Sequence, residues 1–158
     1  MDTMPIVLDE LDRRILDQLQ QDSSLSNQAL AKRVHASPPT CLRRVRRLTE
    51  QGVIERQVAI LNPARVGAGL TAIIEITLDT QTTEHLDAFE AQLLSDAAIS
   101  QCYRVSSGPD FILIAQLTDM AAYQALARRA FTGDTRVRTV RSFFATARSK
   151  FDTRCIFS

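Results

Sequence analysis

The stretch Ser37-Pro38-Pro39-Thr40-Cys41-Leu42-Arg43-Arg44-Val45-Arg46-Arg47-Leu48-Thr49-Glu50-Gln51-Gly52 decides how the first third of the chain folds. Ser37 is of the type that caps a helix amino end. Pro38 falls at the first helical position, where its missing N–H costs nothing. Gly52 suits the residue just past the carboxyl end. The spacing therefore predicts a helix over residues 38–51. Upstream, Ser26 caps a second helix running to about His35, with Ala29, Leu30 and Val34 on its inner face. Only two or three residues separate these helices, which is the pattern of a helix-turn-helix. Further upstream, Leu8, Leu11, Ile15 and Leu19 recur at helical steps. Asp9 or Asp12 serves the amino end of that first helix, opposing its dipole.

At about 100° per residue, Cys41, Leu42, Val45 and Leu48 are expected on one arc of the third helix. Thr40, Arg43, Arg44, Arg46 and Arg47 are expected on the other. Between Asp22 and Glu50 there is no acidic residue, while Lys32, Arg33 and these four arginines lie there. The basic helix is the second of the helix-turn-helix pair, the one whose first turn enters the major groove. Ser37, Pro38, Pro39 and Thr40 are therefore candidates for groove contact. Arg43, Arg44 and Arg47 are candidates for phosphate or guanine O6/N7. Ser26, Asn27 and Gln28 start the second helix and can donate to phosphate. The expected partner is double-stranded DNA.

The whole chain hides this bias. Its 158 residues carry 19 basic and 18 acidic side chains, a net charge of +1. Among the basic residues only Lys32 and Lys150 are lysine; the rest are arginine, whose planar fork suits phosphate and guanine edges. With 45% hydrophobic residues there is material for a core, which argues against disorder. Apolar runs fall far short of the roughly 20 residues that span a bilayer. Residues 1–8 lack a basic segment followed by a long apolar one, so a cytoplasmic location is expected. Cys41, Cys102 and Cys155 are far apart, and His35 and His85 lie at no metal-ligand spacing from them. Neither a disulfide framework nor a metal site is expected.

Beyond Gly52, residues 53–61 read as a strand, and Asn62-Pro63, Gly67 and Gly69 punctuate residues 62–69. The second half then changes period. Residues 70–78 alternate as a strand, 84–94 form a helix, 99–106 a strand, and Ser107-Gly108-Pro109-Asp110 a turn. Residues 111–117 form a strand that is apolar on both faces. Asp119 caps a helix to about Phe131, and residues 137–147 form the last strand. Strand, helix, strand, strand, helix, strand is the ferredoxin-like order. The expected class is α+β: a winged-type helix-turn-helix domain in residues 1–53, a linker strand in 54–69, and a ferredoxin-like βαββαβ domain in 70–158. Two helices cover one face of its sheet, and the apolar other face is expected to meet another subunit.

The motifs Leu8-Asp9-x-x-Asp12-x-x-Ile15-Leu16, Leu25-Ser26-Asn27-x-x-Leu30-Ala31, Ser37-Pro38-x-x-Cys41-Leu42-Arg43-Arg44-Val45-x-x-Leu48 and Gly52-Val53-Ile54 resemble those of the Lrp/AsnC (feast/famine) transcriptional regulators. The resemblance covers roughly residues 8–150. It implies a DNA-binding first domain and a second domain that dimerises through its sheet. It also implies a small effector, usually an amino acid, held between neighbouring dimers, with assembly to octamers common. No other cofactor is implied. The family's effector loop, Gly-x-x-Asp-Tyr/Phe, aligns with Ser107-Gly108-Pro109-Asp110-Phe111. Asp110 and Phe111 match; Ser107 stands where the family carries Gly, and Gly108 comes one position later. Ser142 takes the place of a usual Thr, and Lys150 matches, whereas the tail after it departs from the family pattern.

An amino acid offers an ammonium for Asp110 and a carboxylate for amides around Gly108. Tyr103, Met120 and Phe143 are the expected apolar lining, with Ser107 and Pro109 completing the loop. Two other readings compete. An architectural DNA-binding protein of the same fold needs the basic helix and no ligand. An enzyme needs a nucleophile, for which Cys102 with His85 is the best pair; no catalytic motif supports it, so a non-enzyme is expected.

Overall fold

The computed structural model describes residues 6–157, so part of the segment inspected for a leader lies outside the described residues. Contacts divide the chain into two units, Met1–Ile60 with Lys150–Ser158, and Leu61–Ser149. This differs from the sequence reading at the tail, which joins the first unit.

In the first unit, α1 spans Glu10–Gln21, α2 Asn27–Arg33 and α3 Pro38–Glu50. Each begins at the expected cap. Ser26 accepts from the Ala29 N–H, and Ser37 from the Thr40 N–H, with Pro38 at the start of α3. Asp9 and Asp12 close a reciprocal box: Asp9 accepts from the Asp12 N–H at 2.9 Å, and Asp12 from the Asp9 N–H at 3.2 Å. Ile15, Leu16, Leu30, Ala31, Val34, Cys41 and Leu48 form the core. His35 turns the chain between α2 and α3 at φ 55°, and Gly52 ends α3 at φ 73°.

Residues 53–61 form no strand. The N–H groups of Val53 and Ile54 both return to the Leu48 carbonyl, and their side chains pack on the helical core. Beyond them the exposed Val58, Ile60 and Leu61 find no edge to pair with in the described chain, and alternation without a partner strand does not make a sheet.

The tail contributes to the first unit through Gln20. Its carboxamide donates to the Cys155 carbonyl at 3.1 Å and accepts from the Cys155 N–H at 2.6 Å, as a neighbouring strand would. Phe157 packs on the helical core.

The second unit runs β1 Leu70–Leu78, α4 Thr83–Leu94, β2 Ile99–Arg104, β3 Phe111–Leu117, α5 Met120–Ala127 with a π-turn over Arg128–Thr132, and β4 Val137–Phe144. The sheet is antiparallel in the order β2-β3-β1-β4, the ferredoxin-like arrangement expected. Even-numbered residues of β1 and odd-numbered residues of β3 face the helices. There Ala72, Ile74, Ile76, Phe111, Leu113 and Ala115 are fully buried with Phe89, Leu93 and Leu126.

The register assigns the opposite face too. Thr71, Ile73, Glu75 and Thr77 of β1 share it with Ile112, Ile114 and Gln116 of β3, Tyr103 of β2, and Arg141 and Phe143 of β4. Ile73, Tyr103 and Phe143 are exposed there. This face is the apolar second side read from residues 111–117.

Candidate functional site

The amino ends of α2 and α3 are tied together. Asn27 Nδ2 donates to the Pro38 carbonyl at 2.8 Å, so this amide positions α3 as well as sitting at the start of α2. Ser37 Oγ donates to Thr40 Oγ1 at 2.8 Å. Ser26, Gln28, Ser37, Pro38 and Pro39 are exposed, and Thr40 is half-buried. The residues expected at the groove therefore share one end of the pair.

The arginines of α3 divide differently from the expected arcs. Arg44 Nη1 binds Asp9 and reaches Asp12 Oδ1 at 3.2 Å, and Arg47 Nη2 binds Asp12 Oδ2. Asp12 is only 1% exposed and bridges α1 to α3. Backbone donation from Asp12 and the guanidinium of Arg44 hold the Asp9 carboxyl well down, to about 2. Arg44 and Arg47, both expected at DNA, thus have their charge met inside the unit. Arg43 and Arg46 are exposed and have no carboxylate partner among the described residues. Arg46 was not singled out from sequence.

The reason lies in the helical wheel. Counted from Cys41 at about 100° per residue, Leu48 falls at about −20° and Arg44 at about −60°, close to the buried axis. Arg43 and Arg46 fall at about 200° and 140°, opposite it. Leu42, at about 100°, lies on the flank and is correspondingly exposed. The expected apolar arc was centred too far toward Leu42.

In the second unit, the turn before β3 is held from both sides. The Asp110 N–H donates to the Ile76 carbonyl at 2.9 Å, and its carbonyl accepts from the Val105 N–H at 3.0 Å. Asp110 Oδ2 accepts from the Leu78 N–H at 2.7 Å, where the pairing of β1 with β4 shifts register. Asp110 Oδ1 has no hydrogen bond among the described residues. Ser107 takes φ 63°, the left-handed conformation for which Gly is the default, while Gly108 does not. The loop thus keeps a left-handed residue at the position where the family carries Gly, at a cost of about 1 kcal/mol for the serine. Gly108 and Ser107 are exposed, and Pro109 is half-buried.

The expected apolar lining does not assemble in one chain. Tyr103 and Phe143 lie on the open face but on opposite edge strands, β2 and β4. Three strand spacings put these strands about 14 Å apart, and Phe143 lies two residues along β4 from the position level with Tyr103. Met120 begins α5, in the layer behind the sheet. Ser142 points to the helix side and bonds the Tyr123 hydroxyl at 2.6 Å.

Cys102 faces the helices, and burial pushes its thiol up, away from the thiolate a nucleophile needs. His85 Nδ1 is engaged by Thr82 Oγ1 at 2.6 Å in the first turn of α4. Among the described residues, no helix is long and apolar enough to cross a membrane.

A helix-turn-helix with an exposed basic edge, joined to a ferredoxin-like unit with an open sheet face, defines a two-domain DNA-binding regulator. Residues 8–55 match the winged helix-turn-helix DNA-binding family, and residues 71–155 the Lrp/AsnC ligand binding domain. The chain belongs to the Lrp/AsnC family of transcriptional regulators. It is 36% identical over 149 residues to an uncharacterized HTH-type transcriptional regulator of Haemophilus influenzae, covering 94% of this chain and 89% of that one. It is 42% identical over 119 residues to the leucine-responsive regulatory protein of Salmonella typhimurium, covering 75% and 73%. An AsnC family regulator from Agrobacterium tumefaciens superposes with a TM-score of 0.87 at 35% identity, covering 94% of this chain and 97% of that one. A Neisseria meningitidis regulator solved as a complex with L-Met superposes with a TM-score of 0.85 at 29% identity, covering 93% and 95%. These relatives are named as transcriptional regulators or, for the Salmonella protein, as a regulatory protein, in keeping with a non-enzyme.

Proposed function

We propose that this protein is an amino-acid-responsive regulator of transcription acting as a cytoplasmic homo-oligomer. The amino end of α3, with Arg43 and Arg46, meets double-stranded DNA; Ser26 and Gln28 meet phosphate beside it. The loop from Ser107 to Asp110 forms one wall of the effector site. The observation that carries the effector reading is Asp110, whose Oδ2 is bound while Oδ1 remains an acceptor suited to an ammonium. The L-Met complex of the Neisseria regulator supports an amino acid as the ligand class. Because Tyr103, Met120 and Phe143 do not meet in one chain, an apolar lining built from them takes residues of more than one copy.

A thermal-shift screen of the twenty amino acids tests this. A ligand at a hundredfold excess over Kd adds about 2.7 kcal/mol. For a unit of this size, that is a rise of roughly 10 °C or more in its melting temperature. Asp110→Asn keeps an acceptor for the Leu78 N–H but removes the charge, and should lose most of the rise. A flat screen over all twenty would favour the architectural reading.

The open sheet face supports oligomerisation. Ile73, Ile112, Ile114, Tyr103 and Phe143 form the kind of apolar patch that marks an interface. Light scattering should give the wild type a multiple of 17.6 kDa. Ile73→Glu should drop it toward one chain, since an unpaired carboxylate buried in an interface is costly. A wild type already at 17.6 kDa ends this part of the reading.

A further inference from the structure

The acids at the start of α1 do more than cap it. Arg44 and Arg47 lie on the helix proposed to face DNA, a reading on which this inference rests. Asp12 is almost fully buried and binds both guanidiniums; Asp9 binds the first of them. The arginine side chains are 22% and 40% exposed, so both remain reachable from solvent. Lys32, Arg43 and Arg46 have no carboxylate partner among the described residues.

We propose that Asp9 and Asp12 are specificity-determining residues of the DNA-binding unit, acting as internal counter-charges that withhold Arg44 and Arg47 from phosphate. Phosphate contacts add affinity without sequence information, whereas base contacts discriminate. A reading helix with four free arginines binds any duplex strongly. Pairing two of them with α1 lowers that indiscriminate affinity. The same bonds hold α3 at a fixed angle to α1, so that the remaining contacts fall in register. Asp9 and Asp12 are positioning residues in this sense, since they act through the arginines and touch no base.

The salt dependence of binding separates this role from a merely structural one. Each phosphate neutralised on B-DNA contributes about 0.9 to the slope of log K against log salt. Asp9→Asn keeps a good N-cap acceptor for the Asp12 N–H but removes the charge facing Arg44. Binding of a scrambled-sequence duplex across a KCl series should become steeper by up to about 0.9, since Asp12 Oδ1 still lies 3.2 Å from Arg44. The affinity for that duplex should rise severalfold at low salt. The ratio of affinity for a duplex selected from a randomised pool over the scrambled one should fall. Asp12→Asn frees Arg47 while Arg44 keeps Asp9, and should steepen the slope by up to about 0.9; the double change with Asp9→Asn frees both, for up to about 1.8. Should those variants fail to fold, Asp9→Asn alone decides.

Structural damage to the unit moves the slope the other way, because a distorted unit makes fewer contacts. A slope for Asp9→Asn equal to or shallower than wild type overturns the proposal. The placement of α3 on DNA fails separately: then Arg43→Ala and Arg46→Ala leave the slope unchanged. If those two flatten it while Asp9→Asn does nothing, α3 reads DNA and the counter-charge role is wrong.

Discussion

Asp12→Ala is expected to cost the first unit about 2–3 kcal/mol. Breaking a buried ion pair by removing one partner costs about 3–5 kcal/mol. Here the arginines keep partial access to water, which lowers the figure. The Asp9 N–H also loses its acceptor. A unit of about seventy residues rarely has more than 3–5 kcal/mol to lose, so the variant should sit near its unfolding midpoint at physiological temperature. The second unit has its own core and should be untouched. Hydrogen exchange by mass spectrometry reads the two separately. Peptides from α1, α2 and α3 should lose protection, and peptides from β1 and β3 should keep it. Full protection of α1 and α3 in the variant would show that the bridge contributes little.

The double change Arg43→Ala with Arg46→Ala should weaken DNA binding roughly a hundredfold at low salt, about one factor of ten for each lost charged contact. The slope of log K against log salt should fall by about 1.8 if both contacts are to phosphate. A smaller drop in slope with relaxed sequence preference would mark one of them as a base contact. Stability should change by less than about 0.5 kcal/mol, because neither side chain has a structural partner among the described residues. Arg47→Ala makes the instructive contrast: its first effect should be on stability, through Asp12. Equal affinities for the double variant and wild type would take α3 off the DNA.

The distinction between these arginines rests on contacts that no local pattern encodes. Caps are local: a hydroxyl or carboxylate satisfies an N–H two or three residues on, so spacing alone gives Ser26 and Ser37, and narrows the first cap to Asp9 or Asp12. Local charge could be read as well, and residues 23–49 carry no acid. What could not be read was that Asp9 and Asp12, outside that run, fold back against it. An ion pair between residues more than thirty positions apart has no spacing rule. The same limit explains residues 53–61. Their alternation was real, but a strand exists only with a neighbour, and the first two of them were taken by the end of α3.

In the second unit, alternation along β1 and β3 settled which residues are buried, because side chains of a strand point to opposite faces by covalent geometry. The Ser107 substitution was also visible, but not its outcome. Only the backbone shows that Ser107 itself turns left-handed, with Gly108 in an ordinary conformation.

From its sequence alone this protein was determined to be a helix-turn-helix followed by a βαββαβ sheet domain, since periodicity, caps and turns are set within a few residues. Tertiary structure alone decided which arginines are free, that the tail after Lys150 belongs with the helices, and that Tyr103 and Phe143 stand at opposite edges of one sheet. Each depends on residues distant in the chain being brought together. The net charge of +1 carries the same lesson, for what faces outward depends on which opposite charges the fold has already paired.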